Sequence, residues 1–338
     1  MRRLLFLVLL GTALIGVWFV YSEIHTATAQ DSGVVTFEVQ SAESVPSLGE
    51  RLEKEHIVRH AWLFERYLAW KGMDRKIQAG AYTVTPPITL ARVVQSLGNV
   101  EHIERTITII PGWNLRDIAE YLEKEGFGTQ EEVFVITGTP ASVTDTPTFS
   151  SNAWILAQKP KNVSLEGYLA PDTYRVYADA DIEDIIELLI DEREKQLTPF
   201  KEVIEKSGHS VHEILTMASI IEREVRDPED KAKVSDLFWR RLEMGWGFQA
   251  DSTVHYAVGK KGNVFTTKED RNTASLWNTY KHAGLPPGPI SSPSLSSIQA
   301  ALAPVKNDAW YFLTTAEGEV KYAKTNDEHN RNRALYLR

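Results

Sequence analysis

Residues 211–225, VHEILTMASIIEREV, place an apolar side chain at every third or fourth position and finish with a short charged run. This spacing predicts an amphipathic helix with one face buried in a core. Residues 182–196 and 231–244 carry similar apolar repeats, so each of them predicts a further helix. The C-terminal half of the chain is therefore expected to be rich in helices.

Short segments with many Val, Ile, Thr and aromatic residues predict strands between the helices. The predicted strands are VVTFEV at 34–39, a strand at 77–84, RTITII at 105–110, WYFLTT at 310–315 and VKYAKT at 320–325. Further helices are predicted at 48–55, 61–70, 89–97 and 115–125. We therefore predict an α+β fold, with a βααβ module at 34–104 and a mixed α+β domain at 105–338.

The N-terminus carries an uncharged apolar run, LLFLVLLGTALIGVWFV at residues 4–20, directly after two arginines. As a helix, this run spans roughly 26 Å, close to the thickness of a bilayer core. We predict a transmembrane anchor at 1–22 with a cytoplasmic N-terminus, followed by a spacer at 23–33. A cleavable signal peptide is the alternative, because Ala27-Thr28-Ala29 resembles a cleavage site. Both interpretations place the rest of the chain outside the cytoplasm.

The composition excludes several classes of protein. The 37 basic and 46 acidic residues give a net charge of −9, which argues against a nucleic-acid binder because phosphates require a basic face. Cysteine is absent, which excludes disulfides and thiolate metal sites. The sequence has no HExxH zinc pair, no GxSxG elbow and no GxxxxGK[ST] loop. We expect no metal and no cofactor, which leaves carboxylate chemistry.

Glu222 is the acid that the helical pattern singles out. It aligns with the apolar stripe of residues 211–225, where burial raises the pKa of a carboxyl and keeps it protonated, as a general acid requires. An ion pair with Arg223, or with a basic residue of another helix, is the alternative role. Glu224 lies about 200° further round the helical wheel. The two acids are therefore not expected to share a substrate, and a paired site would need an acid from elsewhere.

Two polar segments interleaved with aromatic residues, FQADSTVHY at 248–256 and SLWNTY at 275–280, suit a hydroxyl-rich ligand. Amides and carboxylates bond hydroxyl groups, and aromatic rings offer flat apolar faces on which sugars stack. Either segment alone is more typical of a turn whose polar groups are satisfied within the protein.

These motifs together resemble the YceG-like endolytic murein transglycosylase (MltG) family. The matching segments keep the family's order: SLEGYLAPDTY (164–174), MASIIEREV (217–225), KVSDLFWRRLEMGWGFQADSTVHYAVG (233–259), NTYKHAGLPPGPISSPSLSSIQAALAP (278–304), WYFL (310–313) and EHN (328–330). The resemblance implies a single-pass inner-membrane enzyme, with its catalytic domain at 105–338 on the periplasmic side, that cuts peptidoglycan glycan strands internally. It also implies a LysM-like module, which fits the βααβ unit.

The resemblance places the catalytic glutamate at Glu222, the first acid of ASIIERE. It implies that further side chains orient the sugar or line the same cleft: Gln249, Asp251, Asn278, Tyr280, Glu166 and Asp172. Two departures from the family pattern are Ser252, where proline is usual, and His255, where an apolar residue is usual. We expect these departures to affect loop rigidity and substrate fit.

A lytic transglycosylase needs a single acid. That acid protonates the β-1,4 glycosidic oxygen and then, as a carboxylate, takes the proton of the C6 hydroxyl that closes a 1,6-anhydro ring. The resemblance also suggests a part in ending strand growth, close to peptidoglycan synthases or penicillin-binding proteins. Two rivals stay open: a hydrolytic muramidase with Asp251, Glu166 or Asp172 as a second carboxylate, and a non-catalytic, membrane-anchored scaffold that binds glycan.

Overall fold

The computed structural model describes residues 2–28, 33–40, 43–98, 104–178, 180–259 and 266–337, and the side chains of residues 2–10 and 13 lie outside the described set. The chain divides into two compact units, Met1–Arg105 with Tyr177–Asp179, and Thr106–Val176 with Ala180–Arg338. Both units combine helices with small two-stranded sheets. The predicted α+β class is therefore confirmed.

The first unit has a small core between a two-stranded antiparallel sheet and helices. Its elements are α1 (Arg2–His25), β1 (Val35–Val39), α2 (Val45–Lys54), α3 (Ala61–Trp70), β2 (Gly80–Val84) and α4 (Leu90–Ser96). β1 and β2 pair antiparallel, with Phe37 opposite Tyr82. Alternation along β1 buries Phe37 and Val39 against Phe64 and Leu68 of α3. The order βααβ is the predicted one, and its likeness to a LysM unit stays a prediction.

The N-terminal apolar segment is helical and belongs to α1. Residues 1–10 and 13 of the predicted anchor have no described side chain. Over the residues that the structure describes, no helix is both long enough and apolar enough to cross a membrane. The anchor at 1–22 and its signal-peptide alternative stay predictions.

The remaining elements lie wholly or mostly in the second unit. The strands are β3 (Glu104–Thr108), β4 (Thr173–Tyr177), β5 (Tyr311–Thr314) and β6 (Val320–Ala323), which pair as β3 with β4 and β5 with β6. The helices are α5 (Leu115–Lys124), α6 (Gln130–Thr137), α7 (Ile182–Leu197), α8 (Lys201–Ser207), α9 (Val211–Glu224), α10 (Pro228–Glu243), α11 (Asp251–Val258), α12 (Lys268–Arg271), α13 (Leu295–Leu302) and α14 (Asn326–Tyr336). The C-terminal hairpin is the predicted one, with antiparallel β5 and β6.

Helix α9 lies in the core of this unit. Leu215, Ala218 and Ile221 are fully buried, and the helix contacts α10, α11 and α13. A capping box between Ser210 and Glu213 starts the helix, and the extended backbone of Val225 ends it. The last turn therefore brings its acids to the place where three other helices approach.

The sequence did not predict α11, although it singled out residues 248–256. The N-cap of α11 is Ala250, whose side chain makes no capping hydrogen bond. The usual sequence signal of a helix start is therefore missing at this position. α11 places Asp251 and Ser252 in its first turn, next to the end of α9.

Candidate active site

Glu222 lies in the last turn of α9 and is surrounded by hydrogen-bond donors. Its Oε2 accepts hydrogen bonds from the backbone N–H of Ser294 at 3.0 Å, from the Ser297 hydroxyl at 2.6 Å and from the Ser294 hydroxyl. The ammonium group of Lys231, on α10, lies 3.1 Å from the same oxygen, and the side chains of Lys231 and Glu222 are only 5% and 11% exposed. Glu222 thus ties α9 to α10 and to the start of α13.

These partners reverse the expected protonation of Glu222. Burial raises the pKa of this carboxyl, but the hydrogen bonds from Ser294 and Ser297 and the charge of Lys231 outweigh burial, and the net pKa is lowered. The prediction that Glu222 stays protonated near neutral pH is therefore wrong. Its geometry fits the alternative interpretation, an ion pair with a basic residue of another helix.

Glu224, two residues further on, has different partners and the opposite pKa shift. Its Oε1 accepts a hydrogen bond from the Ser252 hydroxyl at 2.6 Å, and its side chain is half-buried. Burial raises the pKa of Glu224, and the charge of Asp251 raises it further. The hydrogen bonds from Ser252 lower this pKa, but the net pKa is still raised. Of the two acids at the end of α9, Glu224 is the one that the protein favours in its protonated form.

Asp251 anchors a small polar network beside Glu224. Its Oδ1 accepts hydrogen bonds from the Tyr280 hydroxyl at 2.8 Å and from the Thr266 hydroxyl at 2.7 Å. Gln249 precedes it with an exposed side chain and a positive φ of 53°, a backbone conformation that is uncommon for a residue other than glycine. The structure therefore brings the predicted site residues Asp251 and Tyr280 into contact, and Gln249 lies two positions before Asp251 in the chain.

Asn278 serves the protein itself, although a substrate contact was predicted for it. The residue is completely buried, and its side-chain nitrogen donates hydrogen bonds to the carbonyl groups of Arg271 at 3.0 Å and Thr273 at 2.9 Å. Its side-chain oxygen accepts a hydrogen bond from the backbone N–H of Tyr280 at 3.1 Å. Asn278 therefore shapes the loop that presents Tyr280, and these bonds keep its amide away from a ligand.

Glu166 and Asp172, which were predicted to line the same cleft, lie in different surroundings: Glu166 is buried beside Arg116 and Tyr256, and Asp172 is exposed. Glu166 is 1% exposed and accepts a hydrogen bond from the backbone N–H of Leu115 at 3.0 Å, at the start of α5. Burial raises its pKa to about 8, although the bonds from Leu115 and Tyr256 oppose this. Asp172 is exposed and accepts a hydrogen bond from the backbone N–H of Thr173 at 2.7 Å. Among the contacts of the described residues, neither carboxyl bonds Glu224.

An open cleft adjoins Glu224 on the side of α11. Its lining includes Asn114, Arg116, Arg223, Ser252, His255 and Tyr256. Ser252 connects this cleft to Glu224, because the residue lines the cleft and its hydroxyl bonds the carboxyl. No cluster of three or more His, Asp and Glu side chains within the described residues is placed to hold a metal ion.

A profile of the YceG-like family matches residues 37–335, which is most of both units. The chain belongs to the YceG-like family. This YceG-like chain is 32% identical to a protein of Bacillus subtilis (strain 168) named endolytic murein transglycosylase, over 96% of this chain and 91% of that protein. It is 31% identical to a protein of the same name from Streptococcus pneumoniae serotype 2 (strain D39), over 99% of this chain and 64% of the streptococcal protein.

The YceG-like fold is also seen in a solved structure. A 2.6 Å crystal structure of a YceG-like protein from Listeria monocytogenes matches with a TM-score of 0.58 and 30% identity. The match covers 88% of this chain and 98% of the Listeria chain. The likeness to the Listeria protein therefore extends to structure as well as sequence.

Proposed function

We propose that this chain is an endolytic transglycosylase of peptidoglycan glycan strands and that Glu224 is its acid. The observation that carries the proposal is a half-buried glutamate with a raised pKa, bonded to Ser252, a residue that lines an open cleft. A raised pKa favours the protonated form that a general acid needs, and the adjoining cleft offers a place for the substrate. The name endolytic murein transglycosylase, carried by relatives that align over nearly the full chain, supports the reaction class.

In the proposed first step, the protonated carboxyl of Glu224 donates its proton to the β-1,4 glycosidic oxygen between N-acetylmuramic acid and N-acetylglucosamine. The C1–O bond breaks, the leaving sugar takes the proton as its 4-hydroxyl, and positive charge develops on the muramyl ring. The polar group of Asp251, Tyr280 and Gln249 lies beside the acid and is the proposed support for that ring. The Asp251 carboxylate also favours the developing positive charge.

In the second step, the Glu224 carboxylate accepts the proton of the muramyl C6 hydroxyl, whose oxygen closes on C1. The product is a 1,6-anhydro end, the acid is regenerated, and no water is consumed. The Ser252 hydroxyl donates its hydrogen bond to the carboxylate at this stage and limits its basicity. One residue thus acts first as acid and then as base.

Glu222 has a positioning role in this proposal. Its Oε2 is bonded by Lys231, Ser294 and Ser297, and these bonds fix the last turn of α9. Fixing that turn also fixes the direction of Glu224, which follows two residues later. The proposal therefore moves the catalytic role predicted for Glu222 to Glu224.

A hydrolytic muramidase is the second candidate, because Asp251 lies close enough to influence the pKa of Glu224 and could act as a second carboxylate. The masses of new strand ends distinguish the two reactions. We expect purified peptidoglycan treated with the full chain to yield anhydro ends, each one water lighter than a reducing end. Reducing ends would favour the muramidase, and uncut strands in the presence of folded protein would favour the scaffold.

The pKa of Glu224 predicts opposite effects for substitutions of its two neighbours. Ser252→Ala removes a bond that lowers this pKa, so the basic limb of the pH profile of kcat/KM should move to higher pH. Asp251→Asn removes a charge that raises it, so the same limb should move to lower pH. Steady-state rates of anhydro-end formation between pH 4 and 9 measure both shifts. If the basic limb moved in the same direction in both variants, Glu224 would not be the group whose titration sets that limb.

The cellular setting is also part of the proposal. An extracytoplasmic position, reached through the N-terminal apolar segment, would place the enzyme beside its polymer. Cutting strands internally as they are made would end their growth, near peptidoglycan synthases. Labelling of single cysteines introduced after residue 33, in intact and in permeabilised cells, reports which side of the membrane the chain occupies.

A further inference from the structure

The cleft beside Glu224 contains a buried polar atom without a partner. His255, on α11, is 8% exposed, and within the described part of the chain its Nε2 has no hydrogen-bond partner. His255 is one of the residues that line the cleft, so a ligand seated there is the candidate for the missing bond. His255 is also a departure from the pattern of the resembled family, in which an apolar residue is usual at this position.

Two arginines lining the same cleft are held in place by neutral groups. Arg116 donates a hydrogen bond to the carbonyl of Tyr256 at 3.1 Å, and its guanidinium lies 5.2 Å from the centroid of the Tyr256 ring. Arg223 donates a hydrogen bond to the carbonyl of Gly112 at 3.0 Å. Carbonyl partners orient a guanidinium but do not neutralise it, so both charges stay available to an anion.

Two acids that interact with these arginines have raised pKa values, which favours their neutral forms. Burial raises the pKa of Glu166, which interacts with Arg116, to about 8, and this favours its neutral form near pH 7. Glu224, which interacts with Arg223, also has a raised pKa. The cleft thus offers two oriented cations and one buried imidazole nitrogen directly beside the proposed acid.

We propose that this cleft binds a carboxylate of the peptide stem carried by the muramyl residue at the scissile bond, with Arg116, Arg223 and His255 as its ligands. This inference rests on the proposed function, which supplies the muramyl residue. The sugars of an intact glycan strand are neutral, and the carboxylates lie on the stems attached to muramic acid. An anion site next to the acid therefore selects strands by the charge of their stems.

Binding of two matched small probes tests the proposal without any cleavage. The probes are N-acetylmuramyl-L-alanyl-D-glutamate and its diamide, which differ only in charge. We expect the full chain carrying Glu224→Gln to bind the acid about tenfold more tightly than the diamide, since a charge-assisted bond is stronger than a neutral one. Adding Arg223→Gln or His255→Gln should remove that preference.

The control is Arg226→Gln, which makes the same charge change at an exposed residue outside the cleft lining. It should keep the full preference for the acid. Because Arg223 is exposed on the last turn of α9, its substitution tests the site even if the buried His255 variant fails to fold. Equal binding of both probes, or a preference that survives Arg223→Gln, would overturn the inference.

Cleavage of matched strands separates this inference from the proposed function. Strands with free stem carboxyls should be cut with a kcat/KM about tenfold above that of the same strands after conversion of the carboxyls to amides. Anhydro ends formed equally fast from both strands would reject the stem site and leave the transglycosylase intact. Tighter binding of N-acetylmuramyl-L-alanyl-D-glutamate than of its diamide, with no cleavage of strands by the folded wild-type chain, would reject the transglycosylase and retain the stem site.

Discussion

Glu224→Gln is expected to lower kcat/KM for anhydro-end formation by at least about 10³-fold, because general acid and base catalysis contributes about 10²–10⁴ and both steps use this carboxyl. Glutamine retains the shape of the side chain and can still accept the bond from Ser252, but it cannot release a proton. The global fold should be unchanged, since the side chain is half-buried and, within the described part of the chain, hydrogen-bonds no other side chain than that of Ser252. Quantitative mass spectrometry of strand ends measures the rate.

The matched control is Glu205→Gln, an exposed glutamate on α8 of the same unit. It makes the same chemical change and should leave the rate at the wild-type value. Circular dichroism and thermal unfolding of all three proteins show whether they share one fold. A Glu224→Gln protein that is folded and cuts strands at more than about a tenth of the wild-type rate would refute Glu224 as the acid.

Glu222→Gln is expected to act on stability, with a loss of about 3 kcal/mol or more, because it leaves the buried Lys231 without its counter-charge. The lowered pKa of Glu222 sets the pH range of this effect. A carboxylate with a lower pKa in the folded state stabilises the fold above its ordinary pKa of 4.5, and this stability is lost as pH falls through the lowered value. Urea unfolding at pH 7 and at pH 3 should therefore show a smaller difference between wild type and variant at pH 3.

Two further variants test the reason for this loss. Glu202→Gln breaks an exposed pair with Lys206 on α8, and we expect no measurable change in the free energy of unfolding. Lys231→Met in the Glu222→Gln background removes the buried unpaired charge and should restore part of the stability. A Glu222→Gln protein as stable as wild type that has lost all activity would return the catalytic role to Glu222.

Much of the fold could be predicted because it follows from local pattern. The apolar spacing of residues 211–225 predicted α9, and alternation and turn residues predicted the hairpin of β5 and β6. The polar segments at 248–256 and 275–280 pointed to the region in which Asp251 and Tyr280 meet. In each case the residues that form the sequence pattern belong to a single helix, strand or short segment, or lie directly next to it in the chain.

The choice between Glu222 and Glu224 could not be made in the same way. A helical wheel describes the faces of one helix, whereas the partners of Glu222 come from α10 and from residues 294 and 297, about seventy positions along the chain. Those donors convert a buried acid into an ionised one. The helical wheel places Glu224 on the far side of α9, and α11 covers that side without a capping signal in the sequence.

The central claim is that one protonated glutamate cuts the strand without consuming water, and cleavage in water enriched in ¹⁸O tests it most directly. Wild type should produce anhydro ends that contain no ¹⁸O, and folded Glu224→Gln should produce almost none of these ends under the same conditions. Reducing ends that carry one ¹⁸O atom would contradict the claim, because water would then have attacked C1. Unlabelled anhydro ends formed at the wild-type rate by Glu224→Gln would contradict the assignment of the acid.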